Sequence, residues 1–115
     1  MVSAEIMLHP NLAETASGNS LTWSEASAMK EAIFVLDVRA VSGTTPTLDL
    51  TIETYDPLSD KWDTIVTFAQ KTGVGTEWKY SCDAGKTLGN LIRAKWVIGG
   101  TTPSFQFTVS AIMKS

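Results

Sequence analysis

Apolar and polar side chains alternate with period two over most of this chain, and clusters of Gly, Pro, Asp, Asn and Ser separate the alternating runs. This is the pattern of β-strands buried on one face. In AIFVLDVRAV, residues 32–41, Phe34, Leu36, Val38 and Ala40 fall on one face and Asp37 and Arg39 on the other, so the first set is expected to face the core. After SGTTP at 42–46, Leu48, Leu50 and Ile52 alternate with Asp49, Thr51 and Glu53. The two runs together read as a hairpin. DPLSD at 56–60 is a Pro-containing turn into another strand, marked by Trp62, Ile65, Val66 and Phe68.

Farther along, Trp78, Tyr80 and Cys82 share a face opposite Glu77, Lys79 and Ser81, and their phase assigns Trp78, like Trp96, to the core. DAGKTLGN at 83–90 is a loop by composition. Beyond it Ile92, Ala94, Trp96 and Ile98 point inward, and after the turn at 99–103 Phe105, Phe107, Val109 and Ala111 form the last core face. Shorter strands are expected near 5–8 and within 14–23. Only residues 24–31, SEASAMKE, have helical composition, enough for one or two turns with Ser24 as N-cap. The expected fold is all-β: an antiparallel β-sandwich, jelly-roll-like, of about eight strands with an extended N-terminal arm. Residues 1–20 are the arm or a first strand, and 21–115 the sandwich domain.

The tetrapeptide GTTP occurs twice, at 43–46 and 100–103, half the chain apart. The strands after the two copies stay in phase, Leu48 with Phe105, Leu50 with Phe107 and Ile52 with Val109, whereas those before them do not. One copy is therefore expected to carry a β-bulge or a different loop register. The repeat reads either as two similar hairpins, one at a matching corner of each sheet, or as convergence on a good turn sequence.

Composition narrows the function. The chain has 115 residues, 43% of them hydrophobic, enough for one core, and a net charge of -3 without a basic cluster, which gives no footprint for nucleic acid or an anionic membrane. No apolar run approaches bilayer length and no secretory signal is evident, so the chain reads as made and used without export. The single cysteine, Cys82, excludes an intrachain disulfide and reads as a small buried hydrophobe rather than a reactive thiol.

Chemistry is sparse. His9 is the only imidazole, and beside Pro10 in an extended arm it is poorly placed to act as a base. Asp56, Asp60 and Asp63 bracket a turn; they could surround a calcium ion, but Asp is also the usual turn former, the reading we favour. Gly85-Lys86-Thr87 matches only the last part of a phosphate-binding loop. Trp62 and Trp23 are candidates for an exposed aromatic platform, with core or subunit contact favoured for Trp62. Catalytic groups, cofactors and metals are therefore not expected.

FVLDVRAVSGTTPTLDLTIETYDPLSDKW and LIRAKWVIGGTTPSFQFTVSAIM together resemble a recurring kind of small all-β structural protein of tailed bacteriophages, over roughly residues 31–113. That pattern often has glycine where Asp60 and Lys61 stand. The resemblance implies a virion component, first a capsid cement (decoration) protein that is made in the host cytoplasm, sits on the capsid surface, binds the major capsid protein and associates with itself as a homotrimer. Alternatives are a carbohydrate-binding β-sandwich module or a fibre or tail component. The expected partner contacts are Ile6, Met7, Leu8 and His9 in the N-terminal segment, together with Trp62.

Overall fold

Six antiparallel strands build the computed structural model, which describes residues 3–24, 26, 29–80 and 88–115. They are β1 (Ser3–Glu14), β2 (Gly18–Asn19), β3 (Glu31–Asp56), β4 (Lys61–Thr67), β5 (Gly75–Tyr80) and β6 (Ile92–Lys114). Cys82, the 83–87 part of the expected loop with its Gly-Lys-Thr, and Glu25, Ser27 and Ala28 of the expected helical stretch lie outside the described residues. Among the described residues there is no helical element.

Strands β3 and β6 are too long to be straight. At ~3.3 Å per residue β3 alone would reach ~86 Å, about twice the longest dimension of the molecule, 44 Å. The two strands pair with each other from Glu31↔Lys114 to Thr54↔Ile92, and both bend where the GTTP segments pass, with Thr44 opposite Thr101. The two corners have the same backbone: φ is 112° at Gly43 and 46° at Thr45, 111° at Gly100 and 45° at Thr102. The ribbon thus folds over on itself into a jelly-roll-like sandwich. One layer holds β1, the 104–114 half of β6, the 31–42 half of β3, and β5; the other holds β2, the 92–99 half of β6, the 47–56 half of β3, and β4.

The GTTP segments are therefore matching corners and not hairpin turns, a correction to the expected hairpin over 32–55. The runs on either side of each corner do not pair with one another; each pairs with the other long strand. Between Val38 and Ala40 the register shifts by one residue, which is the bulge that the broken phase between the two copies called for. A bulge turns the following side chain to the opposite face, so Ala40, expected inside, is exposed. The hairpin between β3 and β4 lies where expected, closed by Asp56↔Lys61. Asp60 there has φ 57°, the left-handed region where glycine is unstrained and Asp is tolerated.

One face of every half-strand meets in a single core. Phe34, Leu36, Val38, Leu48, Leu50, Ile52, Ile92, Ala94, Phe105, Phe107, Val109 and Met113 have no exposed surface, and Trp96 is buried with them. Side chains from both layers reach zero exposure on one face only if the layers cover each other.

Strand β5 reverses its expected phase. Glu77 and Lys79 lie across from the inward-facing Leu36 and Phe34, while Trp78 and Tyr80 lie beside Val35 and Ile33 on the outer face, so Trp78 is 53% exposed instead of buried. The inward charge is supported: Glu77 accepts bonds from the Lys71 ammonium and from Ala69 N–H at 3.1 Å. Burial opposes the charge on Glu77, but Lys71, the Ala69 amide and Lys79 outweigh it and hold the carboxyl below the usual carboxylate range.

Candidate functional site

Residues 3–14 do not hang free as an arm; β1 adds to the edge of its own layer, from Ser3↔Lys114 to Glu14↔Phe105. The pairing slips between Met7 and His9 and again between His9 and Leu12. Two bulges around Pro10, a residue that strands accept at edges and irregularities, place the consecutive residues Leu8 and His9 both in the interior. That irregularity opens a cleft of about 320 Å³ between β1 and the 19–23 segment. Ile6, Leu12, Leu21, Trp23 and Trp96 make its walls, with His9 and Glu14 as the charged-type groups.

His9 is fixed on every side. Nδ1 donates to the Phe107 carbonyl at 2.9 Å, and Nε2 lies 3.0 Å from Glu14 Oε1. The ring stacks on Phe107 at 4.0 Å between centroids and meets Trp96 edge-on at 4.9 Å. Trp96 Nε1 in turn donates to the Ala16 carbonyl at 3.1 Å. The expectation that His9 is loosely held fails, because a bulge, invisible to a period-two reading, turns it inward.

A His–carboxylate pair is half of a nucleophile-activating arrangement. Of the hydroxyls that line the cleft, Ser20 Oγ is committed to backbone: it donates to the Leu21 carbonyl at 2.9 Å and accepts from Ala94 N–H at 2.8 Å. The pair therefore serves as a polar clamp joining β1 to β6, and the cleft above it offers apolar surface with a carboxylate at one side.

Of the expected contact residues, Ile6, Met7, Leu8 and His9 come together at this cleft. Met7 is well exposed and Ile6 half-buried, whereas Leu8 and His9 are buried inside their own domain and present little surface to a partner. Trp62 stands apart, on the outer face of the other layer. There the Arg93 guanidinium lies 3.9 Å over its ring, Glu53 Oε1 accepts from Arg93 Nε at 2.9 Å, and Tyr55 packs beside it at 5.0 Å. At the β3–β4 turn Asp56 accepts from Leu58 N–H at 3.0 Å and Ser59 Oγ at 2.8 Å, and Asp60 accepts from the Tyr55 hydroxyl. The Ser59 and Leu58 bonds lower the Asp56 pKa, and the bond to Asp60 raises that of Tyr55. Among the described residues no group of three or more His, Cys, Asp or Glu is placed to hold a metal ion. Glu14, Leu21 and the cleft-facing edge of Trp96 were not legible in the sequence as members of one site, since β1 and the 19–23 segment meet only across β6.

The chain is a two-layer antiparallel β-sandwich built on a folded long ribbon. No protein-family model matches it, and no curated protein matches it in sequence. Among solved structures it is similar in fold to the SPBc2 prophage-derived protein YomS, with TM-score 0.55 and 11% identity, over 99% of this chain and 94% of that one. It is also similar to a chain of infectious bursal disease virus, Gx strain, with TM-score 0.63 and 10% identity, and to one of the Gt strain, with TM-score 0.60 and 12% identity. It spans 98% of its own length in both cases but only 32% of each viral chain. At these identities the likeness is one of fold.

Proposed function

We propose that this protein is a structural, non-enzymatic component of a tailed-phage particle, and specifically a capsid cement protein that binds the major capsid protein lattice on the virion surface. The observation that carries the reading is the end-to-end likeness to a prophage-derived protein, 99% of one chain on 94% of the other. It coincides with a strand-and-corner pattern that independently resembles small virion proteins of tailed phages. The fold likeness to chains of a virus supports the same class. The chemistry agrees: the one imidazole and its carboxylate are spent on holding β1 in place, and rigidity is what a protein that staples a lattice requires.

A carbohydrate-binding role would want at least two tryptophans on one exposed face. Trp62 and Trp78 lie on the outer faces of opposite layers, and one side of Trp62 is taken by Arg93. Quantifying this protein in purified particles tests the cement reading. Hundreds of copies per particle support it, a handful would move the protein to the tail or connector, and absence from particles would overturn the virion role.

A further inference from the structure

The two outer faces of the sandwich differ in chemistry. The face of the layer containing β4 carries Asp49, Glu53, Arg93 and Lys95 around Tyr55, Trp62 and the half-exposed Val97, with one side of Trp62 covered by Arg93. The opposite face, made by β1, the end of β6, the start of β3, and β5, carries two adjacent rows read directly from the pairing: Glu5–Ile112–Ile33–Tyr80 and Met7–Ser110–Val35–Trp78. Met7, Trp78 and Tyr80 are 58%, 53% and 44% exposed. Val35 is buried although it points away from the core, because its neighbours on this face cover it. A contiguous exposed apolar surface rimmed by polar groups marks an interaction site.

We infer that this face is the contact between two copies of the chain, packed face to face about a two-fold axis that runs along the seam between β3 and β6. Such an axis places each residue against the copy of its partner across the seam. Ile33 then meets Ile112, Glu31 meets Lys114, Trp78 meets Met7, and Tyr80 meets Glu5, since these pairs occupy mirrored positions in the same rows. These four contacts are complementary: apolar on apolar, carboxylate on ammonium, aromatic on thioether, phenol on carboxylate; a fifth sets Val35 against Ser110. The shapes fit as well. Trp78 and Tyr80 project at one edge of the face, and at the opposite edge lies a shallow groove of about 330 Å³ lined by Glu5, Ile6, Met7, Ser110, Ala111 and Ile112. The two-fold axis brings the projection of each copy to the groove of the other.

Packed sheets keep their strands within about 30° of alignment, so rows near the axis stay opposed. Three strands running ~36 Å and the ~20 Å of β5, at ~4.8 Å spacing, give roughly 600 Å² of face on each copy. That approaches the ~800 Å² per partner of a stable interface. The sheet edges are poor alternatives. β1 carries two bulges and Pro10, and β5 points Glu77 and Lys79 inward, both features that blunt an edge against pairing. Because projection and groove lie on one face, the contact closes on itself. The dimer stands independently of the virion role, and it is an alternative to the three-fold association that the family resemblance implies.

Sedimentation equilibrium of the full chain at micromolar concentration gives the test, with thermal melting as the control for folding. The expected result is twice the monomer mass for the natural sequence. Trp78→Ser and Met7→Lys, one on each side of the contact, should each weaken association at least about 30-fold, the effect of losing a hot-spot side chain, while the melting profile of the monomer stays cooperative. A monomeric or trimeric natural chain, or a dimer that survives both substitutions, would overturn the proposal.

Discussion

Replacing Gly43 or Gly100 by alanine should be among the most damaging single changes available, although both residues lie away from the core on an exposed bend. At Gly43 a Cβ atom would stand 2.8 Å from Pro103 Cα and 2.8 Å from the Thr102 carbonyl oxygen; at Gly100 it would stand 2.7 Å from the Thr45 oxygen and 3.0 Å from Pro46 Cα. Each obstacle is the backbone of the other corner and cannot rotate away. The φ values of 112° and 111° are also disfavoured for any side chain, which adds ~1–3 kcal/mol, and relieving the overlap adds a similar amount. Together these suggest ~3–5 kcal/mol for either variant, a large share of the ~5–15 kcal/mol typical of a domain. Because each corner is the obstacle for the other, the double variant should cost less than the sum of the two, by ~0.5–3 kcal/mol. Urea unfolding followed by tryptophan fluorescence would measure all three, with Gly73→Ala as a control, since nothing lies within 4 Å of its added Cβ. Single-variant losses below about 1 kcal/mol, or strictly additive ones, would refute the interlocked-corner account.

The core assignment predicts that Phe105→Ala or Phe107→Ala costs ~3–5 kcal/mol, while Val97→Ala, at a half-exposed position, changes stability by less than ~0.5 kcal/mol; equal denaturant midpoints would contradict it. Glu77 carries a pH signature. A carboxyl whose folded-state pKa is depressed stabilises the fold above its unfolded pKa and loses that contribution as pH falls through the folded value. With Lys71 and Ala69 holding Glu77 below the usual range, the natural chain should lose on the order of 1 kcal/mol more than Glu77→Gln as pH drops from about 5 to below 4. Parallel acid-limb stability curves for the two proteins would remove Glu77 from that role.

Much of the sandwich was legible because its central strands are buried on one face and solvated on the other, the condition under which period-two alternation carries information. The inward residues Phe34, Leu36, Val38, Leu48, Leu50, Ile52, Phe105, Phe107 and Val109 met it, and all are buried. That one copy carries an irregularity was legible for the same reason, since two segments with the same tetrapeptide should have strands in the same phase and do not; that it is a bulge near Val38 was not. What a Gly-Thr-Thr-Pro segment does was not legible. A tight hairpin and a bend in a long strand ask for the same residues, Gly for positive φ and Pro for a missing donor, and differ only in which distant strand lies alongside. Strand β5 failed for another local reason. The alternation of Glu77, Trp78, Lys79 and Tyr80 defines two faces without saying which is covered, and at a sheet edge the ion pair with Lys71 decides it.

Strand β1 shows how far a residue type can stand from its role. Its short apolar run suggested a segment waiting for a partner, and two of its residues, Leu8 and His9, are instead packed into its own domain by paired bulges. Those bulges leave the strand with two working sides. Leu8 is buried in the core and His9 locks the strand to β6 through the Phe107 carbonyl, held in place by Glu14 of its own strand, while Glu5 and Met7 remain on the outer face and rim the groove. Substitutions along one strand therefore separate two effects that a truncation would merge: at His9 they act on folding, and at Met7 on association. A strand anchored in this way holds Glu5 and Met7 at fixed spacing, which suits a contact with a second copy better than a flexible arm would.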